Sequence, residues 1–129
     1  MKTLAVIVVL GFLWIWFRSR LTPAVTGDGS YRVGIVGESH YQDAIRAECG
    51  KGKVRHECDA VLVLEDSNAY DDQAVKVTIS GGTVGYLSRD QARIYRKRTG
   101  NDPKPRTVSA VIVGGGKGKA SVGVWLDLA

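Results

Sequence analysis

The sequence predicts a mainly β fold: a small barrel of about six strands with two short helices, preceded by an N-terminal hydrophobic helix. Three observations carry this expectation. Glycine accounts for 16 of 129 residues, well above the roughly 7% of average proteins, which points to many turns. Apolar and polar side chains alternate at period two through most of residues 30–129. Turn signals separate these alternating stretches at short intervals. The length suits one domain of ordinary size. With 44% hydrophobic and 24% charged residues, wholesale disorder and a multi-span membrane protein are excluded. The net charge of +5 is too small to designate a nucleic-acid or membrane partner unless it is locally concentrated.

Residues 1–20 read as a hydrophobic membrane anchor or signal segment. No charged residue occurs from Leu4 to Phe17, and Gly11 alone interrupts the large apolar side chains. As a helix this run rises about 22 Å, short of the roughly 30 Å hydrocarbon core. Three readings fit: an uncleaved anchor, a cleaved signal, or a core element. Trp14, Trp16 and Phe17 followed by Arg18 and Arg20 favour the anchor, because aromatic rings settle at the membrane interface and arginines snorkel beyond it. Membrane contact is thus expected through residues 3–17, in a single pass. The basic residues that follow favour a cytoplasmic C-terminal domain by a small margin. Residues 21–29, with Pro23, Gly27 and Gly29, read as a linker, and residues 30–129 as the β domain.

Within that domain Tyr31, Val33 and Ile35 form a first apolar row. Val54, Cys58, Ala60, Leu62 and Leu64 form a second. Val75, Val77 and Ile79 alternate with Lys76 and Thr78, and Gly81-Gly82 turns the chain into residues 83–87, a hairpin signal. Residues 108–113 and 120–128 flank the glycine turn at 114–118 and complete the set.

A short helix is expected over residues 41–48, stopped at Gly50. A stronger one spans residues 89–98. Ser88 and Gln91 have capping-box spacing, Asp90 lies in the positive first turn, and Gly100 ends it. At 100° per residue Leu87, Ile94 and Tyr95 are expected on one side, with Arg89, Arg93, Arg96 and Lys97 opposite. From 89 to 106 there are seven basic side chains against Asp90 and Asp102. Such a concentration suits either a solvated face or contact with phosphates.

Several chemistries lack their motifs. There is no phosphate-binding G-x-x-x-x-G-K-[ST], no dinucleotide G-x-G-x-x-G between strand and helix, and no G-x-S-x-G nucleophile elbow. Glu38-Ser39-His40 sets a hydroxyl beside an imidazole, but no carboxylate at recognisable spacing completes a triad. His40, Cys49, His56 and Cys58 offer four zinc donors without any C-x-x-C pair. In an oxidising compartment Cys49 and Cys58 would instead form a disulfide. No enzyme activity and no cofactor are expected.

Residues 64–75 are the most informative stretch. Polar and turn-forming residues crowd the link between two strong strands, and Asn68 is placed to fold onto the backbone as an Asx turn, fixing where Tyr70 and Asp71 project.

These features resemble the HIRAN domain. The resemblance rests on residues 36–41 (VGESHY), 65–77 (EDSNAYDDQAVKV), 84–92 (VGYLSRDQA) and 123–128 (GVWLDL), and it is similar to the bacterial single-domain type with an added N-terminal segment. It implies a six-stranded OB-like β-barrel with two helices. It also implies binding of single-stranded DNA, with a 3′-hydroxyl end held in a pocket. Matched residue by residue, His40 and Tyr41 fall where paired aromatics stack on terminal bases. Asp71 falls where a carboxylate accepts the 3′-hydroxyl, and Tyr86 and Arg89 fall where side chains meet the terminal phosphates. Three positions depart from the helicase-borne type: Ser39 stands for a basic residue, His40 for a Tyr, and Ala69 for a Pro.

The expectation is therefore a membrane-tethered, non-enzymatic module that binds single-stranded DNA ends through His40, Tyr41, Asp71, Tyr86, Arg89, Arg93 and Arg96. Two alternatives stay open: an exported or surface-tethered peptide- or protein-binding barrel with a Cys49–Cys58 disulfide, and a zinc-dependent site.

Overall fold

A computed structural model describes residues 27–115 and 121–128. The expected N-terminal hydrophobic helix lies outside the described residues, as does most of the expected linker. Among the described residues no helix is long and apolar enough to cross a membrane.

Six strands form: β1 (Val33–Gly34), β2 (Val54–Glu65), β3 (Ala74–Ile79), β4 (Gly82–Tyr86), β5 (Arg106–Gly114) and β6 (Val122–Leu126). A 3-10 turn (Glu38–His40) and helix α1 (Gln42–Cys49) follow β1, and helix α2 (Arg89–Thr99) follows β4. The strands pair antiparallel in the order β1-β6-β5-β2-β3-β4. Period-two alternation explains the layering: Ala60 and Leu62, Val75 and Val77, Val108, Ala110 and Ile112, and Val122, Val124 and Leu126 all turn inward and are buried.

The sheet curls into a half-barrel. Among the described residues its two edges pair only where Val36 and Tyr86 exchange backbone hydrogen bonds of 2.8 and 2.9 Å. The pairing stops there because Gly37, at φ 77°, turns the chain into the 3-10 segment. Side chains from that segment and α1 cover β6: Val124 N donates to the Glu38 carboxylate at 3.0 Å, and Gln42 both donates to Val122 O and accepts from Val122 N at 2.9 Å. Ile45, fully buried, is the apolar anchor of α1.

The β3–β4 hairpin turns at Ser80 and Gly81, both with positive φ, one residue earlier than the glycine pair suggested. Helix α2 starts as expected: Ser88 Oγ accepts from Gln91 N at 3.3 Å, and Gly100 ends it in the left-handed conformation.

Its orientation corrects the expectation. Ala92, Tyr95 and Arg96 face the core, while Ile94 is 46% exposed. Arg96 is thus removed from the expected basic face. Its guanidinium donates to Gln73 O at 2.7 Å, to Ala74 O at 2.9 Å and to Asn101 Oδ1 at 3.4 Å, and pairs with Asp66 at 2.8 Å. The loop carbonyls need donors, and a long cation reaching inward supplies them.

Candidate nucleic-acid interface

The site is built around the β2–β3 loop. The Asn68 side-chain oxygen accepts from Tyr70 N at 2.9 Å and Asp71 N at 3.0 Å, the expected Asx arrangement. Its amide donates to Glu65 Oε1 at 2.8 Å, tying the loop to the end of β2. Asp71 in turn accepts from Gln73 N at 3.0 Å, which leads the chain into β3.

This folding opens a cavity of about 210 Å³ lined by Val36, Asn68, Tyr70, Asp71, Ala74, Tyr86, Leu87 and Arg89. It lies beside the single bridge that joins the sheet edges, where β4 runs into α2. Tyr70 stands 89% exposed at its mouth, and Val36 is 47% exposed. A ring, an apolar patch, a carboxylate and a guanidinium therefore share one concavity.

The electrostatics are layered. Asp71 bonds Arg93 through both oxygens, at 3.2 and 3.3 Å. The Arg93 guanidinium first, and then Gln73 N, hold its carboxyl below the usual carboxylate value. A carboxylate offers about four acceptor positions; with three used, about one remains for a ligand. Tyr86 donates its hydroxyl to Glu65 at 3.0 Å. Burial, then the bond to Glu65, push the Tyr86 phenol up to about 12, so it stays protonated as a donor. Glu65 is held below its ordinary value chiefly by the Asn68 amide, and also by Tyr86 and Lys76. Arg89 is exposed and spends one donor on Tyr70 O at 3.2 Å, leaving others free in direction.

Of the residues expected at the interface, Asp71, Tyr86 and Arg89 line the cavity together. Tyr41 is half-buried and stands close enough to Tyr86 to add to the upward push on its phenol. Arg93 adjoins through Asp71. His40 is exposed on the 3-10 turn and does not line the cavity, and Arg96 is buried beneath the loop. Tyr70 and Val36 are among the lining residues that the sequence did not single out as binding residues. Tyr70 had a signal, since it is a large ring inside an otherwise polar loop. Val36 had none, because its exposure comes from its place at the seam.

The family model of the HIRAN domain matches residues 28–123. The chain belongs to the HIRAN domain family. HIRAN domains are nucleic-acid-binding modules and in general are not catalytic. Neither the curated proteins nor the solved structures compared with the chain give a match. The matched range begins inside the expected linker. In this HIRAN domain Gly27 N donates to Asp127 O at 2.6 Å and Gly29 N to the Asp127 carboxylate at 2.7 Å, so residues 27–29 pack on the end of the domain.

The alternative zinc set of His40, Cys49, His56 and Cys58 is not assembled among the described residues of this HIRAN domain. Glu48, His56 and Cys58 bring their ligand atoms within 4.8 Å of one another, and His40 and Cys49 are not in that group. Cys49 and Cys58 are free thiols rather than a disulfide.

Proposed function

We propose that this HIRAN domain binds single-stranded DNA and seats a 3′-hydroxyl end in the cavity beside the Val36–Tyr86 bridge. The observation that carries the reading is the convergence of Asp71, Tyr86 and Arg89 on one cavity of about 210 Å³. The last ribose would place its 3′-hydroxyl on the remaining acceptor position of Asp71, while Arg89 meets the adjoining phosphate and Tyr86, its hydroxyl donor spent on Glu65, walls the cavity with its ring. Tyr41 and Tyr70 supply ring faces for terminal bases, each stack being worth about 1–3 kcal/mol. Arg93 and Lys97, exposed on α2, extend the cationic track for the backbone. A 3′-phosphate would bring its own charge against Asp71 and be disfavoured.

The run from Leu4 to Phe17, with Arg18 and Arg20 beyond it, supports a membrane tether with the domain on the cytoplasmic side. A reporter fused after Ala129 reads that topology directly; activity of an exported-only reporter would overturn it.

The binding test titrates labelled oligonucleotides ending in 3′-hydroxyl or 3′-phosphate at two salt concentrations. We expect about a tenfold preference for the hydroxyl end, equivalent to about 1.4 kcal/mol, and its loss in Asp71→Asn. Equal affinity for both ends in the wild type removes end recognition. Affinity that does not fall with salt removes nucleic-acid binding.

A further inference from the structure

Far from that cavity, the first half of β2 carries a second set of chemical groups. We propose that Glu48, His56 and Cys58 form a binding site for a zinc-class divalent cation. His56 and Cys58 are two residues apart on β2, so both project from one face of the strand. Glu48, in the last turn of α1, meets them from the helix side, and all three are half-buried. Their ligand atoms lie within 4.8 Å of one another. Glu48 Oε1 stands 3.4 Å from His56 Nε2. Zinc bonds to oxygen and nitrogen of about 2.0–2.1 Å give a tetrahedral edge of about 3.3 Å, so this pair already has the separation that a shared ion requires. An ion pair alone would account for Glu48 and His56, but not for a thiol brought against both.

A further contact orients the carboxylate. Ser80 Oγ, at the β3–β4 turn, donates to Glu48 Oε2 at 2.8 Å, which leaves Oε1 directed at His56. One oxygen, one imidazole nitrogen and one sulfur form a donor set of borderline softness, which selects zinc or cobalt over magnesium or calcium. Three protein donors leave the fourth position to water. Cys58 lies seven residues from Glu65 along β2, on the order of 20 Å, so the site is separate from the DNA cavity.

The test uses the full chain, freed of metal and titrated with Co²⁺ and then with competing Zn²⁺. We expect about one equivalent of Co²⁺ per chain, with a tetrahedral visible spectrum and a thiolate-to-cobalt band in the near ultraviolet. Cys58→Ser should remove that band. Glu48→Gln and His56→Ala should each weaken affinity about tenfold or more, whereas Cys49→Ser should leave it unchanged. Circular dichroism of the metal-free variants separates loss of a ligand from loss of the fold, and the wild-type spectrum needs no variant. Absence of stoichiometric binding by the wild type would overturn the proposal, as would a band that survives Cys58→Ser. A loss in Cys49→Ser equal to that in Cys58→Ser would overturn the three-ligand assignment. Asp71→Asn should not alter the cobalt spectrum, so failure here and failure of DNA end binding are told apart.

Discussion

Replacing Arg96 by Met keeps an apolar stem in the core and removes the guanidinium that ties α2 to the β2–β3 loop. Two hydrogen bonds to backbone carbonyls, at 2.7 and 2.9 Å, disappear. A bond from a charged donor is worth about 1.5–3 kcal/mol, so the pair sets a range of about 3–6 kcal/mol. Gln73 is exposed and its carbonyl regains water, which moves the expectation to the lower end, about 3 kcal/mol. The Asp66 ion pair adds little, since that carboxylate is 78% exposed and such pairs contribute about 0–1 kcal/mol. Against a total stability of about 5–15 kcal/mol this is a large loss. Urea denaturation of Arg96→Met and Arg93→Met provides the assay. The second variant loses a partly exposed pair with Asp71 and an exposed bond to Arg89 O, and should cost about 1 kcal/mol. In DNA titrations the ranking reverses. The slope of log affinity against log salt should fall by about 0.7 in Arg93→Met and hold in Arg96→Met. If the two variants lose equal stability, or if Arg96→Met alone changes the salt slope, the assignment of Arg96 to the interior is wrong.

Two further perturbations probe the seam and the carboxylate. A Cβ on Gly85 would stand 2.7 Å from Val36 O and 2.8 Å from Ile35 Cδ1, so Gly85→Ala must push apart the edges that meet at Val36 and Tyr86. The expected loss is about 1–3 kcal/mol in urea denaturation, and a value below about 0.5 kcal/mol would show that the seam yields freely. For Asp71 the folded value is depressed, so its pairing with Arg93 is fully present above the unfolded carboxylate value of about 4 and is lost only as pH falls through the lower folded value. The ratio of wild-type to Asp71→Asn affinity for a 3′-hydroxyl oligonucleotide should therefore be constant from pH 8 to pH 5; a midpoint inside that range would refute the ionisation argument.

Local chemistry was legible wherever one residue type satisfies a neighbour within a few positions. Ser88 capping Gln91 N, Gly100 ending α2, and Asn68 folding onto the amides of residues 70 and 71 all depend on short-range geometry. Strand alternation was legible for the same reason, because side chains of an extended chain have a fixed period. The facing of α2 was not. Its apolar residues are few, and the hydrophobic reading placed Ile94 inward and Arg96 outward. The stripe that docks is centred on Ala92, and Arg96 follows it inward because the carbonyls of residues 73 and 74 demand donors there. That demand comes from the loop, more than twenty positions earlier in the chain.

The order of residues by itself determined a β-rich domain, two helices each ended by a glycine, a loop folded by Asn68 and the motifs of the HIRAN family, since each is written in neighbours and periods. Tertiary structure alone decided that the sheet stops at a half-barrel joined by one bridge, that Tyr70 and Val36 line the cavity with Asp71, and that Glu48 meets His56 and Cys58. Each of these depends on how a curled sheet brings distant segments together, and no local spacing encodes that distance.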